Sequence, residues 1–268
     1  MKRLFIESIR GELTNQRDDV FSLQSNNFIN SLLKVMKFNN EDKDNVMIAK
    51  SLLPTVINEL VEKNELEILK KLKNEIRSLN SHDFTKKNPL HVAAINGHKE
   101  IAEFLINNCV SLNELDDNKN TPLNYACLNK HKDVALLLNI KGGILNMKSE
   151  MADLFCKLGY EGDLDTIKLF QICGANLMTS NFDGRTLAHI AAAEGKIDII
   201  KYLVEETNYN IMVSDRWGYT PHDEANENIR NIISAKFKLK QRKNKKMPAN
   251  LLAKKVKRNE ICVKEDVN

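Results

Sequence analysis

The feature that most constrains this chain is a helix-pair segment that recurs about every 33 residues. Its clearest copy is Asn181 to Leu203, NFDGRTLAHIAAAEGKIDIIKYL. A polar turn holds Asp183 and Gly184, and Thr186 opens a helix carrying Leu187, Ile190, Ala191 and Ala192. Gly195 breaks it, and a second helix follows with Ile197, Ile199, Ile200, Tyr202 and Leu203. Two short helices cannot bury both their faces alone, so such a unit demands neighbours. Copies stand at Asp83–Leu105, Asp116–Leu138 and Met151–Phe170, and another begins at Asp215. The third of these keeps the helix pair but loses the T-P-L-H start. One motif position falls on His91, Asn124, Cys156, His189 and Asp223, at spacings of 33, 32, 33 and 34 residues.

The chemistry of each copy agrees with the spacing. Thr121 and Thr220 precede Pro122 and Pro221, where a hydroxyl can cap an orphan amide and proline fits the first helical turn. Thr186 can cap likewise, and Asn88 stands in for threonine before Pro89. Gly97 and Gly195 can take the positive φ that ends a first helix. Asn64 and Asn129-Lys130 stand at or near that point in less regular copies.

A period near 33 with a T-P-L-H-x-A start is the ankyrin signature, and the chain resembles an ankyrin-repeat protein. The fold expected is all-α: an ankyrin-repeat solenoid with hairpin-like loops, a helical N-terminal extension and a disordered basic tail. The extension spans residues 1–50, with an amphipathic helix at 27–38. The repeat domain spans 51–235: a degenerate repeat 51–81, repeats 82–114, 115–147, 148–180 and 181–214, and a short cap 215–235. Pro54 places the start of the helix around it near Leu53. The tail spans 236–268.

Three stretches resemble the C-terminal ankyrin region of the asparaginase and 60 kDa lysophospholipase-like proteins: Leu4 to Thr14, Ser51 to Leu69 and Leu154 to Leu177. Gly184 to Ala225, ending in DRWGYTPHDEA, is similar to the C-terminal ankyrin pair of glutaminases. The asparaginase resemblance implies a preceding hydrolase domain whose nucleophile is a threonine activated by a lysine and an aspartate. Its TGGTI-like and GTDT-like segments are absent here, as is a G-x-S-x-G elbow. The chain is therefore read as non-catalytic, with no cofactor and no metal site. It is either a stand-alone interaction module or the accessory C-terminal part of an asparaginase-type amidohydrolase.

His91 and His189 are read as ties between adjacent loops rather than as bases or ligands, because Asn124 and Cys156 replace them in other copies. His98 and His131, after the inter-helix turn, are read as exposed. The structural set is thus Pro89, His91, Thr121, Pro122, Thr186, His189, Thr220 and Pro221. The partner-binding candidates lie at the hairpin tips, expected along one edge: Phe84, Lys87, Asp117, Asn120, Phe182, Asp183, Arg185, Arg216, Trp217 and Tyr219. Trp217 either meets a partner or packs on the neighbouring hairpin.

Charge divides the chain. Residues 236–258 hold eleven Lys or Arg and no Asp or Glu, whereas 1–235 carry a net −5. The basic stretch is a solvated tail, an import or acidic-partner segment, or a membrane or nucleic-acid contact. Five cysteines without C-x-x-C spacing suit reduced thiols in the cytoplasm, with nuclear import open through Lys236–Arg258.

Overall fold

The computed structural model describes Asn30 and residues 43–146, 150–207 and 209–245. The expected helix at 27–38 and the tail beyond Lys245 lie outside the described residues, except that Asn30 is helical. The chain forms two compact units, which divide the repeat region between Asn146 and Met147.

Between residues 43 and 146, unit 1 contains six helices: α1 (Lys43–Glu62), α2 (Leu66–Glu75), α3 (Pro89–Asn96), α4 (Lys99–Asn107), α5 (Pro122–Leu128) and α6 (Lys132–Ile140). The first helices of successive pairs, α1, α3 and α5, pack in a row. Each also packs against the second helix of its own pair, and α4 packs on α6. The small residues Ala93, Ala94 and Ala126 are fully buried, which lets the row close up. Ile57, Leu72, Ile101, Leu105 and Leu138 fill the layer between the rows.

Unit 2 repeats the scheme with α7 (Glu150–Glu161), α8 (Leu164–Ile172), α9 (Leu187–Ala193), α10 (Ile197–Lys201), α11 (Pro221–Glu224) and α12 (Glu227–Lys245). A π-helical turn, Tyr202–Glu206, continues α10. Helix α9 packs against both α7 and α11, and α12 lies against α10 and the π-turn. Phe155 and Phe170 meet edge to face, with centroids 5.8 Å apart. Gly159 permits the α7–α9 approach: a β-carbon there would stand 2.9 Å from Leu187 Cδ1. Among the described residues the only β-type pairing is an isolated bridge between Ser180 and Thr186.

Two boundaries differ from expectation. Helix α1 begins at Lys43 and runs through Pro54 instead of starting near it. Proline removes the amide that would bond the Lys50 carbonyl, and Lys50 is exposed, so water can take that bond. Helix α12 runs ten residues past 235, to Lys245. Residues 236–245, KFKLKQRKNK, hold no Pro or Gly and are mostly good helix formers, so this stretch is helical where disorder was expected.

Candidate partner-binding edge

The hairpin tips are pinned by one acidic or amide side chain each. Asp83 Oδ1 accepts the amides of Thr85 (2.8 Å) and Lys87 (3.0 Å). Asn181 does the same for Asp183 and Arg185, and Asp215 for Trp217 and Tyr219. Asp116 takes the Asn120 amide at 2.8 Å. Such an Asx turn fixes the loop before any neighbour arrives. Burial raises Asp83, but the Thr85 hydroxyl and the Lys87 and Thr85 amides outweigh it and hold the carboxyl below its usual range. The fourth residue of each tip has positive φ: Lys86, Lys119, Gly184 and Gly218.

Backbone bonds join tips in pairs. Asp117 N–H donates to the Thr85 carbonyl at 3.1 Å, and Arg216 N–H to the Asp183 carbonyl at 2.9 Å. The first pair belongs to unit 1 and the second to unit 2. After the turn at Lys141-Gly142, residues 143–146 are coil, and Thr121 and Asn124 hold them through the Ile144 and Asn146 carbonyls.

Beneath the tips, the motif position latches a repeat to the next at His91, Cys156 and His189. Asn88 N–H donates to His91 Nδ1, and His91 Nε2–H donates to the Asn120 carbonyl, both at 3.1 Å. His189 repeats this with the Thr186 amide and the Tyr219 carbonyl. Cys156 points its thiol at the Arg185 carbonyl, 3.6 Å away, and burial pushes that thiol up to about 11. Burial lowers His91 against the opposing pull of the Asn120 carbonyl and Asp116, which suits a neutral ring. Asn88, Thr121, Thr186 and Thr220 cap their helices, and Pro89, Pro122 and Pro221 occupy the first turn.

His98 and His131 are not free surface residues. Both are half-buried, and their Nε2–H groups donate backwards, to the Glu62 carbonyl (3.0 Å) and the Ile95 carbonyl (2.9 Å). The His131 ring lies over Gly97, where a β-carbon would stand 2.5 Å from Nδ1. Their 33-residue separation is the signal that reveals them.

The candidate contact residues fall into two groups. In unit 1, Phe84 is 91% exposed. Asp117 pairs with Lys86 at 2.9 Å. Lys87 and Asn120 are half-buried: Lys87 Nζ lies 4.0 Å from the buried Asp116, which also accepts the Tyr125 hydroxyl at 2.5 Å. In unit 2, Phe182 is 93%, Trp217 59% and Tyr219 57% exposed. The Arg216 guanidinium lies 5.5 Å from the Phe182 ring centroid and 5.4 Å from that of Trp217, within cation–π range. Its Nη1 reaches Asp183 at 3.2 Å. Arg185 is engaged by Glu224 at 2.6 Å. Trp217 is therefore neither buried nor isolated: it flanks a guanidinium held between two rings.

Among the described residues, no group of three or more His, Cys, Asp or Glu is placed to hold a metal ion. No described helix is long and apolar enough to cross a membrane.

Comparison with known proteins places this arrangement. The family "Ankyrin repeats" matches residues 57–148 and 155–246. The liver isoform of mitochondrial glutaminase from Rattus norvegicus is 38% identical over 85 residues, 32% of this chain and 14% of that protein. An L-asparaginase from Dirofilaria immitis is 23% identical over 242 residues, 90% of this chain and 40% of that protein. The chain thus spans well under half the length of these relatives. The solved ankyrin repeat domain of human ASB11 superposes with a TM-score of 0.53 at 20% identity, over 67% of this chain and 82% of that one. With helix pairs, capped starts and finger turns recurring in that frame, this chain belongs to the ankyrin repeat family.

Proposed function

We propose that this chain is a non-catalytic interaction module that holds a protein partner against its hairpin tips. The observation carrying this reading is the exposed cluster of Phe182, Arg216, Trp217 and Tyr219. Tryptophan, tyrosine and arginine dominate binding hot spots, and here they stand on a rigid, twice-pinned hairpin. Asp183 extends this contact, and Phe84 and Asp117 offer a second exposed tip in unit 1; Lys87, Asn120 and Arg185 shape their loops from within each unit. The double variant Arg216→Ala/Trp217→Ala removes the platform without touching the Asp215 turn. Partner capture should fall at least about tenfold, the size of a hot-spot loss, while circular dichroism and melting stay unchanged. Undiminished capture would refute tip binding.

A second reading has its own support. Similarity to an L-asparaginase runs along 90% of this chain yet covers 40% of that protein. On that reading the chain is the accessory portion of an asparaginase-type amidohydrolase, and the partner is its catalytic domain. An in-frame threonine amidohydrolase domain upstream of Met1 would favour it. Under both readings the chain alone hydrolyses neither asparagine nor a lysophospholipid. The proposed location is the cytoplasm, with nuclear import through Lys236–Arg258.

A further inference from the structure

The two tips of unit 2, residues 181–185 and 215–219, have their charges paired within the unit. Arg216 Nη1 reaches Asp183 at 3.2 Å, and Arg185 Nη2 reaches Glu224 at 2.6 Å. The nearby Asp223 carboxylate accepts the Thr220 amide and hydroxyl, and Arg230 donates to the His222 and Asp223 carbonyls. The polar atoms of the aromatic residues are not used in this way. Among the described residues, neither the Trp217 indole N–H nor the Tyr219 hydroxyl has a hydrogen-bond partner, and both residues are more than half exposed. What faces solvent is a charge-neutralised ledge of rings with two free donors.

The ledge is continuous and held firmly. The Arg216 guanidinium occupies the space between Phe182 and Trp217. A guanidinium plane stacks on rings and is weakly hydrated, so it extends their surface. Its distances to the two centroids place the rings no more than about 11 Å apart, and three residues of polyproline II advance about 9 Å. Prolines at i and i+3 therefore fall within reach of both rings. The Asp215 turn and the Arg216–Asp183 backbone bond fix the hairpins beforehand, so docking orders little of the loop backbone.

Other ligand forms fit this ledge less well. A helical segment has its carbonyls already bonded and needs an apolar groove. An added strand needs free backbone donors, but the Trp217 and Tyr219 amides are bound to Asp215. A nucleic-acid strand could stack on the rings, yet it needs a cationic track, and residues 150–235 hold fourteen Asp or Glu against seven Lys or Arg. A polyproline II segment brings uncharged, flat rings and carbonyls with no internal partner. Those carbonyls match the two free donors, and its neutrality matches the paired charges.

We propose that the unit 2 tips bind a proline-rich segment of the protein partner in the polyproline II form. Two prolines lie on the Phe182–Arg216–Trp217 ledge, and backbone carbonyls accept from Trp217 and Tyr219. This rests on the tip-binding reading above and names the chemistry of the partner. Trp217 is the chain's one tryptophan, so its emission reports this site alone. In the full chain, decaproline should shift that emission saturably. Its affinity should change less than about twofold between low and high salt, because no unpaired charge is involved. Phe182→Ala should weaken decaproline at least tenfold at unchanged melting temperature. Trp217→Phe keeps a ring but loses the N–H; anisotropy of labelled decaproline should show a loss of about fivefold, the scale of one hydrogen bond. A random twelve-residue display library, selected on the full chain and then on Arg216→Ala/Trp217→Ala, separates the two claims. Peptides that need the tip and are enriched in proline are expected. The polyproline assignment alone is overturned by tip-dependent peptides without that enrichment, by unchanged Trp217 emission, by equal binding to Phe182→Ala, or by tighter binding of decaglutamate or decalysine. If no selected peptide depends on the tip residues, tip binding is overturned with it.

Discussion

Units 1 and 2 make the same turns with different residues. Every described positive-φ residue in unit 2 is glycine: Gly162, Gly174, Gly184, Gly195 and Gly218. Unit 1 places Asn64, Lys86, Cys109, Lys119 and Lys130 in that conformation and uses glycine only at 97 and 142. A left-handed residue with a β-carbon costs about 1–2 kcal/mol relative to its favoured conformation. Unit 1 therefore carries several such penalties that unit 2 avoids. The contrast teaches that the repeat dictates backbone shape, while the residue that adopts it is negotiable where space allows. Charge separates the units too. Residues 43–146 balance fourteen Lys or Arg against thirteen Asp or Glu, whereas unit 2 up to Ala235 is strongly acidic.

Gly97 is where the tolerance of unit 1 should fail. Alanine there would hold φ near +76° and press on the His131 ring, displacing its bond to Ile95. The expected loss is about 2–3 kcal/mol, summing left-handed strain and a lost hydrogen bond. Chemical denaturation checks it, and a change within 0.5 kcal/mol of zero (about the scatter of neutral surface changes) would remove the steric half of the comparison. The reverse substitutions sharpen it. Lys130→Gly and Cys109→Gly should each stabilise unit 1 by up to about 1 kcal/mol, the relieved strain less the added chain entropy. Slower amide exchange confined to unit 1 would show this; equal slowing from Gly174→Ala in unit 2 would contradict it.

The smallest expected effect is acid sensitivity. Burial holds His91 below its ordinary 6.5, so the folded chain binds fewer protons than the unfolded one as pH falls from that value. Its contribution is present above 6.5 and drains as pH drops through the lowered folded value. Asp83 and Glu114 are also depressed, because hydrogen bonds from Thr85 and Asn88 outweigh burial; theirs is present above about 4 and lost below. All three lie in unit 1, so its amides should exchange faster before those of unit 2 as pH falls from 7 to 4. His91→Gln should flatten the upper part of that profile.

Much of this architecture could be read from local chemistry. The T-P start, the capping hydroxyls and the 33-residue spacing specify helix starts within a residue, since each works through neighbours in sequence. The His91 and His189 ties were legible for the same reason: the frame repeats, so one repeat's ring must meet the next repeat's loop. What escaped depends on distance or on context. Arg185 and Glu224 are 39 residues apart and belong to different repeats, so no local pattern joins them. His98 and His131 look polar in isolation, and only stacking brings a carbonyl to them. Pro54 reads as a helix start because its penalty is local, while the solvent that absorbs it is not visible in sequence. The overrun of α12 was hidden by composition, since a lysine-rich run resembles a disordered tail when its anchored beginning is not known.

The forward latch sets an order of events for a growing chain. His91 cannot close on Asn120 until 29 more residues have left the ribosome, and His189 waits 30 for Tyr219. At about 5–20 residues per second that is a delay of roughly 1.5 to 6 seconds for each tie. Because these two ties reach only into the next repeat, each such pair of helices can settle as its successor emerges, and a nascent chain stalled soon after His91 or His189 would be left with one unsatisfied imidazole at its leading edge.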